Sequence, residues 1–423
     1  MAIKLELDQD QLDTVQFALD SPYSIIALEM GLGKSACAIA IKDSIKDSRC
    51  LVICPAYLTG NWINEINKTL DGQLISRFKK TKDVYYPVDS DFVIVSYDTA
   101  IKCEFLFEWA NMVILDEATA VKNMKAKRTL AIHKAIYENG IPRVHLLTGT
   151  PIKNRVTEFY SLMALCNYNP NSGDTSFLTE FTNAITFSDK FSHRTEFTRY
   201  YNFKSYTVVQ WDGLKNEEEL KKWLGGIYIS RRSKMPPINF SDVMIDDCDD
   251  NELLKDFMES QGLNPNSVAP KSKVAAAIYK APLTIEYVKD KIESGQIEGP
   301  VIIYTDHIEP CEILAKGFNT IPITGAMPPQ KRQEMADAFQ AGTLPVLVAT
   351  IGSFSSGYTL TRGNYMCFND FCWVPGEMEQ CYFRINRKGQ DRPCFVDRLF
   401  GSKQDEYIFN TQLNKYNVIK KFY

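Results

Sequence analysis

Short apolar, β-branched runs alternate with helix-length segments in two separate parts of this 423-residue chain. This spacing is typical of βαβ units, in which helices cover both faces of a parallel sheet. The first series predicts strands at 24–29, 49–55, 92–98, 112–117 and 143–149. The second series predicts strands at 301–306, 321–325, 345–350, 365–370 and 394–400. We therefore predict an α/β protein with two parallel-sheet domains.

The stretch between the two series is predicted to be mostly helical and aromatic, with a helical insertion at about 155–225. An acidic run at 246–252 is a candidate linker, although charge runs are also common in solvated loops within a domain. We predict a first domain at 1–243 and a second at 244–423, the latter with a helical amino-terminal part.

A glycine-rich loop, Met30-Gly31-Leu32-Gly33-Lys34-Ser35, follows the first predicted strand and precedes a predicted helix at 36–46. Glycines let backbone N–H groups turn toward a phosphate, a lysine supplies a cation, and the next hydroxyl can bind Mg²⁺. The loop therefore predicts a nucleotide phosphate site. The full pattern has another glycine five positions before Gly33, where this chain has Leu28. The alternative is a glycine-rich turn beside a surface lysine.

Two further predicted strands end in groups that a nucleotide site uses. Asp116 and Glu117 follow an apolar strand, where one carboxylate can hold Mg²⁺ and the other can polarise a water. The segment Thr148-Gly149-Thr150 follows the next strand, where hydroxyl groups could sense the γ-phosphate. A capped helix start and an ordinary turn closed by Pro151 are the structural alternatives. The joint occurrence with Lys34 favours the nucleotide site.

A basic segment in the second series contains Arg384 and Arg387. Arginines three residues apart share one face of a helix, so both guanidinium groups could reach a single anion. A solvated basic helix face is the alternative. Together with the phosphate loop, Arg387 is predicted to be an arginine finger with Arg384 beside it.

In their order along the chain, these segments resemble the motifs of the SNF2 branch of superfamily 2 helicase-like DNA translocases. The loop at 29–35 resembles motif I, including its missing first glycine, and Gln11 lies where an adenine-reading glutamine is expected. Asn61-Trp62 resembles part of motif Ia. The segment at 148–154 is similar to T-G-T-P-x-x-N, and the segment at 380–390 to motif VI, Q-x-x-x-R-x-x-R-x-G-Q.

The resemblance implies two RecA-like domains and the cofactors ATP and Mg²⁺. The residues that it implies for nucleotide binding are Gln11, Met30, Gly31, Leu32, Gly33, Lys34, Ser35, Gly357, Gln380, Arg384 and Arg387. The implied catalytic residues are Lys34, Asp116, Glu117, Arg384 and Arg387, with Ser35 and Asp116 as metal ligands. Coupling is implied for Thr148, Gly149 and Thr150, and DNA contact for Lys122, Asn123, Lys153, Asn154, Ser355 and Ser356.

One departure from the family pattern lies at Thr119, where motif II usually has a histidine. Both catalytic carboxylates remain, so we predict that activity is retained. The motif spacing is most similar to the small fork-remodelling and annealing-helicase branch, and a compact chain of this kind suits a bacteriophage or a bacterium.

The predicted function is an ATP-dependent DNA translocase or helicase that remodels forks and Holliday-type junctions in replication, recombination or repair. One alternative is an RNA-dependent or strand-separating helicase of the same superfamily. Another is a DNA-binding scaffold or switch that binds ATP without productive hydrolysis. Thr119 keeps that alternative open.

Composition sets limits on localisation and partners. No apolar run approaches the roughly 20 residues that span a bilayer, and a net charge of −4 gives no global sign of a polyanion partner. The 11 scattered cysteines suggest neither a disulfide framework nor a zinc site. We expect a soluble monomer in a bacterial cytoplasm or a phage-infected cell, which binds duplex or branched DNA without a membrane or an obligate protein partner.

Overall fold

The computed structural model describes residues 4, 6–78, 80–83, 85–87, 89–167, 176–201, 204–232, 235–246, 252–264, 270–354 and 357–422. The chain divides into two compact units. Unit 1 consists of Met1–Ser233 and Asn417–Tyr423, and unit 2 is Lys234–Tyr416. Among the helices in these described ranges, none is long and apolar enough to cross a membrane.

Unit 1 is built on a seven-stranded parallel sheet, and an antiparallel pair of strands forms a separate ribbon. The strands of the unit are β1 (Tyr23–Leu28), β2 (Cys50–Cys54), β3 (Ile75–Phe78), β4 (Phe92–Ser96), β5 (Met112–Asp116), β6 (Arg143–Leu147), β7 (His193–Tyr201), β8 (Lys204–Asp212) and β9 (Tyr228–Arg231). The sheet has the order β3-β4-β2-β5-β6-β1-β9, and the ribbon is β7-β8. Strands β5, β6 and β1 are therefore neighbours, and the loops after them lie at one edge of the sheet.

Helices cover both faces of this sheet. They are α1 (Gln9–Asp20), α2 (Lys34–Asp43), α3 (Thr59–Thr69), α4 (Tyr97–Ala100), α5 (Phe105–Trp109), α6 (Lys127–Glu138), α7 (Phe159–Cys166), α8 (Ser176–Glu180), α9 (Ala184–Phe191) and α10 (Glu217–Leu224). Successive strand residues enter opposite cores, as Ile25 and Ile26 do in β1. Burial on both faces explains why the central strands are continuous apolar runs.

Unit 2 has a five-stranded parallel sheet in the order β10-β14-β13-β11-β12. Its strands are β10 (Asn239–Met244), β11 (Val301–Thr305), β12 (Val346–Thr350), β13 (Tyr365–Phe368) and β14 (Phe395–Phe400). Its helices are α11 (Glu252–Ser260), α12 (Pro270–Glu293), α13 (Ile308–Gly317), α14 (Pro329–Ala341), α15 (Ile351–Phe354), α16 (Pro375–Tyr382) and α17 (Lys403–Ile419), whose last residues belong to unit 1. The prediction of two α/β parallel-sheet domains is confirmed.

Three details differ from the sequence prediction. The insertion at 155–225 is not purely helical, because it contains the nine-residue strands β7 and β8. The predicted strand at 321–325 is wrong, since only Ile323 makes a bridge, to Ala349. Pro322 has no N–H to donate there. Strands β3, β9 and β10 were missed, and all three lie at sheet edges. The side chains of β10 are mostly exposed.

The division between the units also lies elsewhere than predicted. A boundary at 243 would cut through β10, whose residues pair in parallel register with β14 from Asn239 to Met244. The carboxy-terminal residues belong to unit 1, where Ile419 and Phe422 are buried in the same core as Phe159. The hydroxyl of Tyr228 donates to the carbonyl of Phe422.

Candidate nucleotide-binding site

The phosphate loop lies between the end of β1 and the start of α2. Gly31 and Gly33 adopt left-handed conformations with φ of 89° and 77°. A Cβ at position 33 would clash with the amide nitrogen of Gln11, so this position requires glycine for both space and conformation. Lys34 is the first residue of α2, and the loop therefore leads into a helix amino terminus, where backbone N–H groups favour anions.

The ammonium group of Lys34 points back into the loop. Its Nζ donates to the carbonyl oxygens of Leu28, at 2.8 Å, and Glu29, at 3.4 Å. A Cβ on Gly149 would lie 3.3 Å from this Nζ and 3.1 Å from Cγ of Met30. The structure thus brings the predicted coupling segment after β6 against the phosphate loop.

Gln11 also contacts the loop, and its side chain has two roles. Its Oε1 accepts from the backbone N–H of Asp8, and its Nε2 donates to the carbonyl of Leu32 at 3.2 Å. Asp8 in turn accepts from the N–H of Gln11, which completes a capping box at the start of α1. The spacing Asp8-x-x-Gln11 was a readable signal for this cap. In this structure the amide of Gln11 ties α1 to the phosphate loop.

Asp116 ends β5 and is buried, with 7% of its surface exposed. Its Oδ1 accepts from the N–H of Glu117 at 2.9 Å, and its Oδ2 accepts from the indole Nε1 of Trp62 at 2.8 Å. Burial and, secondarily, the Glu117 charge raise the pKa of Asp116 to about 6, while the Trp62 hydrogen bond and the Lys34 charge oppose that rise. Glu117 has a left-handed backbone, with φ of 50°.

The threonines of the coupling segment are fully buried. The backbone N–H of Thr150 donates to Oγ1 of Thr148 at 3.1 Å, and the N–H of Thr148 donates to Ile26 of β1. Thr119, the departure in motif II, is buried in the short helical turn that follows Glu117.

Glu158 connects most of the predicted DNA contacts in unit 1. Its carboxylate accepts from Nζ of Lys122 at 2.6 Å and from the backbone N–H groups of Lys153, at 2.8 Å, and Asn154, at 3.2 Å. Asn123 accepts from the N–H of Lys125. The sequence interpretation missed Glu158, whose acidic side chain gave no signal of this role. Ser355 and Ser356 lie outside the described residues.

In unit 2, both predicted arginines reach one acceptor. Nη1 of Arg384 donates to the carbonyl of Tyr358 at 2.9 Å, and Nη1 of Arg387 donates to it at 3.3 Å. Gly357, which precedes Tyr358, has a left-handed backbone with φ of 87°. Arg384 is buried and also donates through Nε to the carbonyl of Gln380. Burial and the charge of Arg384 lower the pKa of Arg387 to about 10.

The prediction that the two arginines share a helix face is wrong. Helix α16 ends at Tyr382, before both of them. The N–H groups of Arg384 and Ile385 donate to the carbonyls of Cys381 and Tyr382, which forms a turn, and the carbonyl of Arg384 accepts from the N–H of Leu360. The side chain of Gln390 holds that turn by donating to the carbonyls of Gly363, at 2.8 Å, and Ile385, at 3.2 Å. The guanidinium groups converge through the turn.

The donor groups in unit 1 fit ATP with Mg²⁺. A helix amino terminus and a lysine provide the charge that phosphates require, and left-handed glycines leave room for backbone approach. A hydroxyl at Ser35 and a carboxylate at Asp116 are the oxygen ligands that Mg²⁺ prefers. A parallel sheet with these groups at one edge defines the class of phosphate-loop nucleotide-binding proteins.

Comparison with known families narrows this class. The profile of the SNF2-related domain matches residues 11–233, and that of the helicase conserved C-terminal domain matches residues 283–389. The chain belongs to the SNF2 family of helicase-like proteins. This membership confirms the resemblance drawn from the motifs.

Individual relatives are distant but collinear over nearly the whole chain. A SWI/SNF-related matrix-associated actin-dependent regulator of chromatin subfamily A-like protein 1 of Drosophila melanogaster is 26% identical over 97% of this chain and 55% of its own length. The DNA annealing helicase and endonuclease ZRANB3 of Mus musculus is 26% identical over 96% of this chain and 39% of its own length. The chain spans about half the length of these curated relatives. The solved Sulfolobus solfataricus SWI2/SNF2 ATPase core in complex with dsDNA is 21% identical, with a TM-score of 0.46 over 99% of this chain and 94% of that chain.

Proposed function

We propose that the chain is an ATP- and Mg²⁺-dependent motor that moves along duplex DNA and remodels branched structures such as forks and four-way junctions. One observation carries the proposal. The phosphate loop, Asp116 with Glu117, and the segment Thr148-Gly149-Thr150 follow three neighbouring strands of one sheet, in a member of the SNF2 family. The name of one relative, a DNA annealing helicase, supports the choice of branched DNA.

Each group in unit 1 has a role in this proposal. Lys34 and the N–H groups at the start of α2 hold the phosphates, and Ser35 with Asp116 holds Mg²⁺. Bound there, Mg²⁺ would neutralise charge on the phosphate oxygens. Burial raises the pKa of Asp116, and a cation bound there would oppose that rise because it favours the ionised carboxylate. Glu117 orients the attacking water, and the buried threonines respond to the γ-phosphate.

The roles of Arg384 and Arg387 follow from the family resemblance. With a pKa of about 10, Arg387 keeps its charge at neutral pH, as stabilisation of a phosphoryl transition state requires. Arg384 is the more deeply buried of the two, and its hydrogen bonds to Gln380 and Tyr358 hold the turn that carries Arg387.

The predicted DNA contacts belong to the same proposal. A motor that moves along any sequence contacts phosphates and not base edges. Lys153 and Asn154 lie in the loop after β6, and Lys122 and Asn123 lie in the turn after β5. Glu158 contacts both Lys122 and the backbone N–H of Lys153. Movement of the loop after β6 would therefore also move the proposed phosphate contact at Lys122. We propose further that the protein works as a monomer in a bacterial or phage-infected cytoplasm.

ATP turnover measured with single-stranded DNA, duplex DNA, forked DNA and RNA tests the proposal. We expect duplex and forked DNA to stimulate turnover, and a labelled fork to be converted to a regressed product only when ATP is hydrolysed. Stimulation by RNA alone would favour the RNA-dependent helicase. ATP binding without turnover on any nucleic acid would favour the scaffold or switch.

A further inference from the structure

The carboxylate of Asp116 is held by two hydrogen bonds. One comes from the backbone N–H of the next residue, Glu117, and the other comes from the indole Nε1 of Trp62. Across the described part of the chain, Trp62 supplies the side-chain hydrogen bond to this carboxylate, although it lies 54 residues away in sequence. One of the two contacts that position the carboxylate thus comes from another element, helix α3.

Trp62 is itself rigidly placed. It lies in α3 with 2% of its surface exposed and packs with Ile66, Val52 and Ile94 in the core on one face of the sheet. An unpaired buried indole N–H costs free energy, and Asp116 supplies the acceptor that removes this cost for Trp62. Packing therefore fixes the ring, and the ring fixes the carboxylate.

The main chain at the same strand end is held separately. The hydroxyl of Tyr97, in α4, donates to the backbone carbonyl of Asp116 at 2.9 Å. This contact positions the peptide but leaves the carboxylate oxygens untouched. The two contacts can therefore be removed one at a time.

We propose that Trp62 is a positioning residue for the metal site, whose indole N–H holds Asp116 in the orientation that binds Mg²⁺ and so links α3 to that ligand. This inference rests on the proposed function, because it takes Asp116 as the metal ligand. Residues that orient a metal ligand typically contribute about ten- to a hundredfold to metal affinity.

The chain offers a matched control for removing the indole. Trp109 is also buried in unit 1, at 1% exposure, and its Nε1 has no hydrogen-bond partner among the residues that the structure describes. Trp62→Phe and Trp109→Phe remove the same atoms from the core, but only the first removes a hydrogen bond. Tyr97→Phe removes the main-chain contact alone.

The experiment measures Mn²⁺ binding to the protein with ADP, from the electron paramagnetic resonance signal of unbound Mn²⁺. ADP affinity in EDTA is measured in parallel. We expect Trp62→Phe to weaken Mn²⁺ binding at least about tenfold with metal-free ADP affinity unchanged. Trp109→Phe and Tyr97→Phe should stay within about twofold of the wild type, because neither variant removes a hydrogen bond to the Asp116 carboxylate.

Two results would overturn the role of Trp62 and leave the proposed function standing. They are wild-type Mn²⁺ affinity in Trp62→Phe, or an equal loss of Mn²⁺ affinity in Trp109→Phe. If the wild-type protein binds ADP but gains no Mn²⁺ affinity from it, the metal site in the proposed function fails, and the role of Trp62 fails with it. The wild-type titration therefore distinguishes the two failures.

Discussion

Lys34 is the first residue of the helix that follows the phosphate loop, and no other described lysine has this position. Lys34→Ala should abolish ATP hydrolysis while leaving DNA affinity within about twofold, because the predicted phosphate contacts to DNA lie on other loops. Turnover and fluorescence anisotropy with a labelled duplex measure the two properties. Lys46→Ala, at an exposed position after α2, is the control. Equal loss of turnover and DNA binding would make Lys34 structural.

His145 is a buried imidazole in β6 that shares a hydrogen bond of 2.8 Å with Ser24. Burial, followed by the charge of Arg143, lowers its pKa to about 3, from an ordinary value of 6.5. Between these values the unfolded chain binds a proton that the folded chain does not, so the free energy of unfolding falls as pH falls. From pH 7 to pH 5 this loss is about 2 kcal/mol.

His145→Gln should remove about 2 kcal/mol of that pH dependence, whatever its effect on stability at pH 7. Urea unfolding at pH 7 and pH 5 measures the difference. His193→Gln, at an exposed position in β7, is the control. An unaltered pH dependence in His145→Gln would contradict the lowered pKa of His145.

At the scale of elements, Glu158 joins the turn after β5 to the loop after β6. Glu158→Gln keeps the size of the side chain but removes its charge and places an N–H₂ group among three donors. We expect a loss of about 1–3 kcal/mol in the free energy of unfolding. Chemical denaturation measures it. Glu138→Gln is the control, because it removes an exposed ion pair with Lys134. It should change the free energy of unfolding by less than about 0.5 kcal/mol. A similar loss in both variants would contradict the role of Glu158 in joining the two loops.

The turn after α16 carries the second pair of charges. Arg387→Ala should lower DNA-stimulated ATP turnover by about 10³-fold if Arg387 is an arginine finger. Thermal unfolding should change little, because among the described residues Arg387 donates one hydrogen bond, of 3.3 Å, to Tyr358. Steady-state turnover is the measurement, and the exposed neighbour in Lys388→Ala is the control. Normal turnover in Arg387→Ala would remove this residue from the catalytic groups.

The sequence predicts elements best where burial is most complete. Strands β1, β2, β4, β5 and β6 were located within two residues because both of their faces are apolar. Among the strands that were missed, β3, β9 and β10 lie at sheet edges and have polar or exposed positions, and β7 and β8 form the separate ribbon. An edge strand buries less surface, so its pattern is weaker.

The residues of the candidate site also differ in how far they could be predicted. The phosphate loop and the pair Asp116 and Glu117 were predictable because their groups are adjacent in sequence. The contacts of Trp62 with Asp116 and of Lys122 with Glu158 join residues 54 and 36 positions apart. Only the fold brings such residues together. The turn at Arg384 was missed because its carbonyl is taken by Leu360, in another loop.

At the scale of the whole molecule, the end of the chain contributes to the core of unit 1. Phe422 packs edge-on against Phe159, with ring centroids 5.3 Å apart, and is 4% exposed. Phe422→Ala should therefore cost about 3–5 kcal/mol in the unfolding of unit 1. Denaturant unfolding followed by near-ultraviolet circular dichroism measures it. Exposed Lys420→Ala is the control, and a loss below about 1 kcal/mol in Phe422→Ala would contradict the packing role.

The placement of Ile419 and Phe422 in that core has a consequence for synthesis on the ribosome. Amino-terminal domains usually fold first, while the rest of the chain is still being made. Here the core of unit 1 lacks two of its buried side chains until all of unit 2 has been translated. At about 5–20 residues per second, that delay is on the order of ten seconds or more. During this interval the surface that receives Phe422 is open to chaperones.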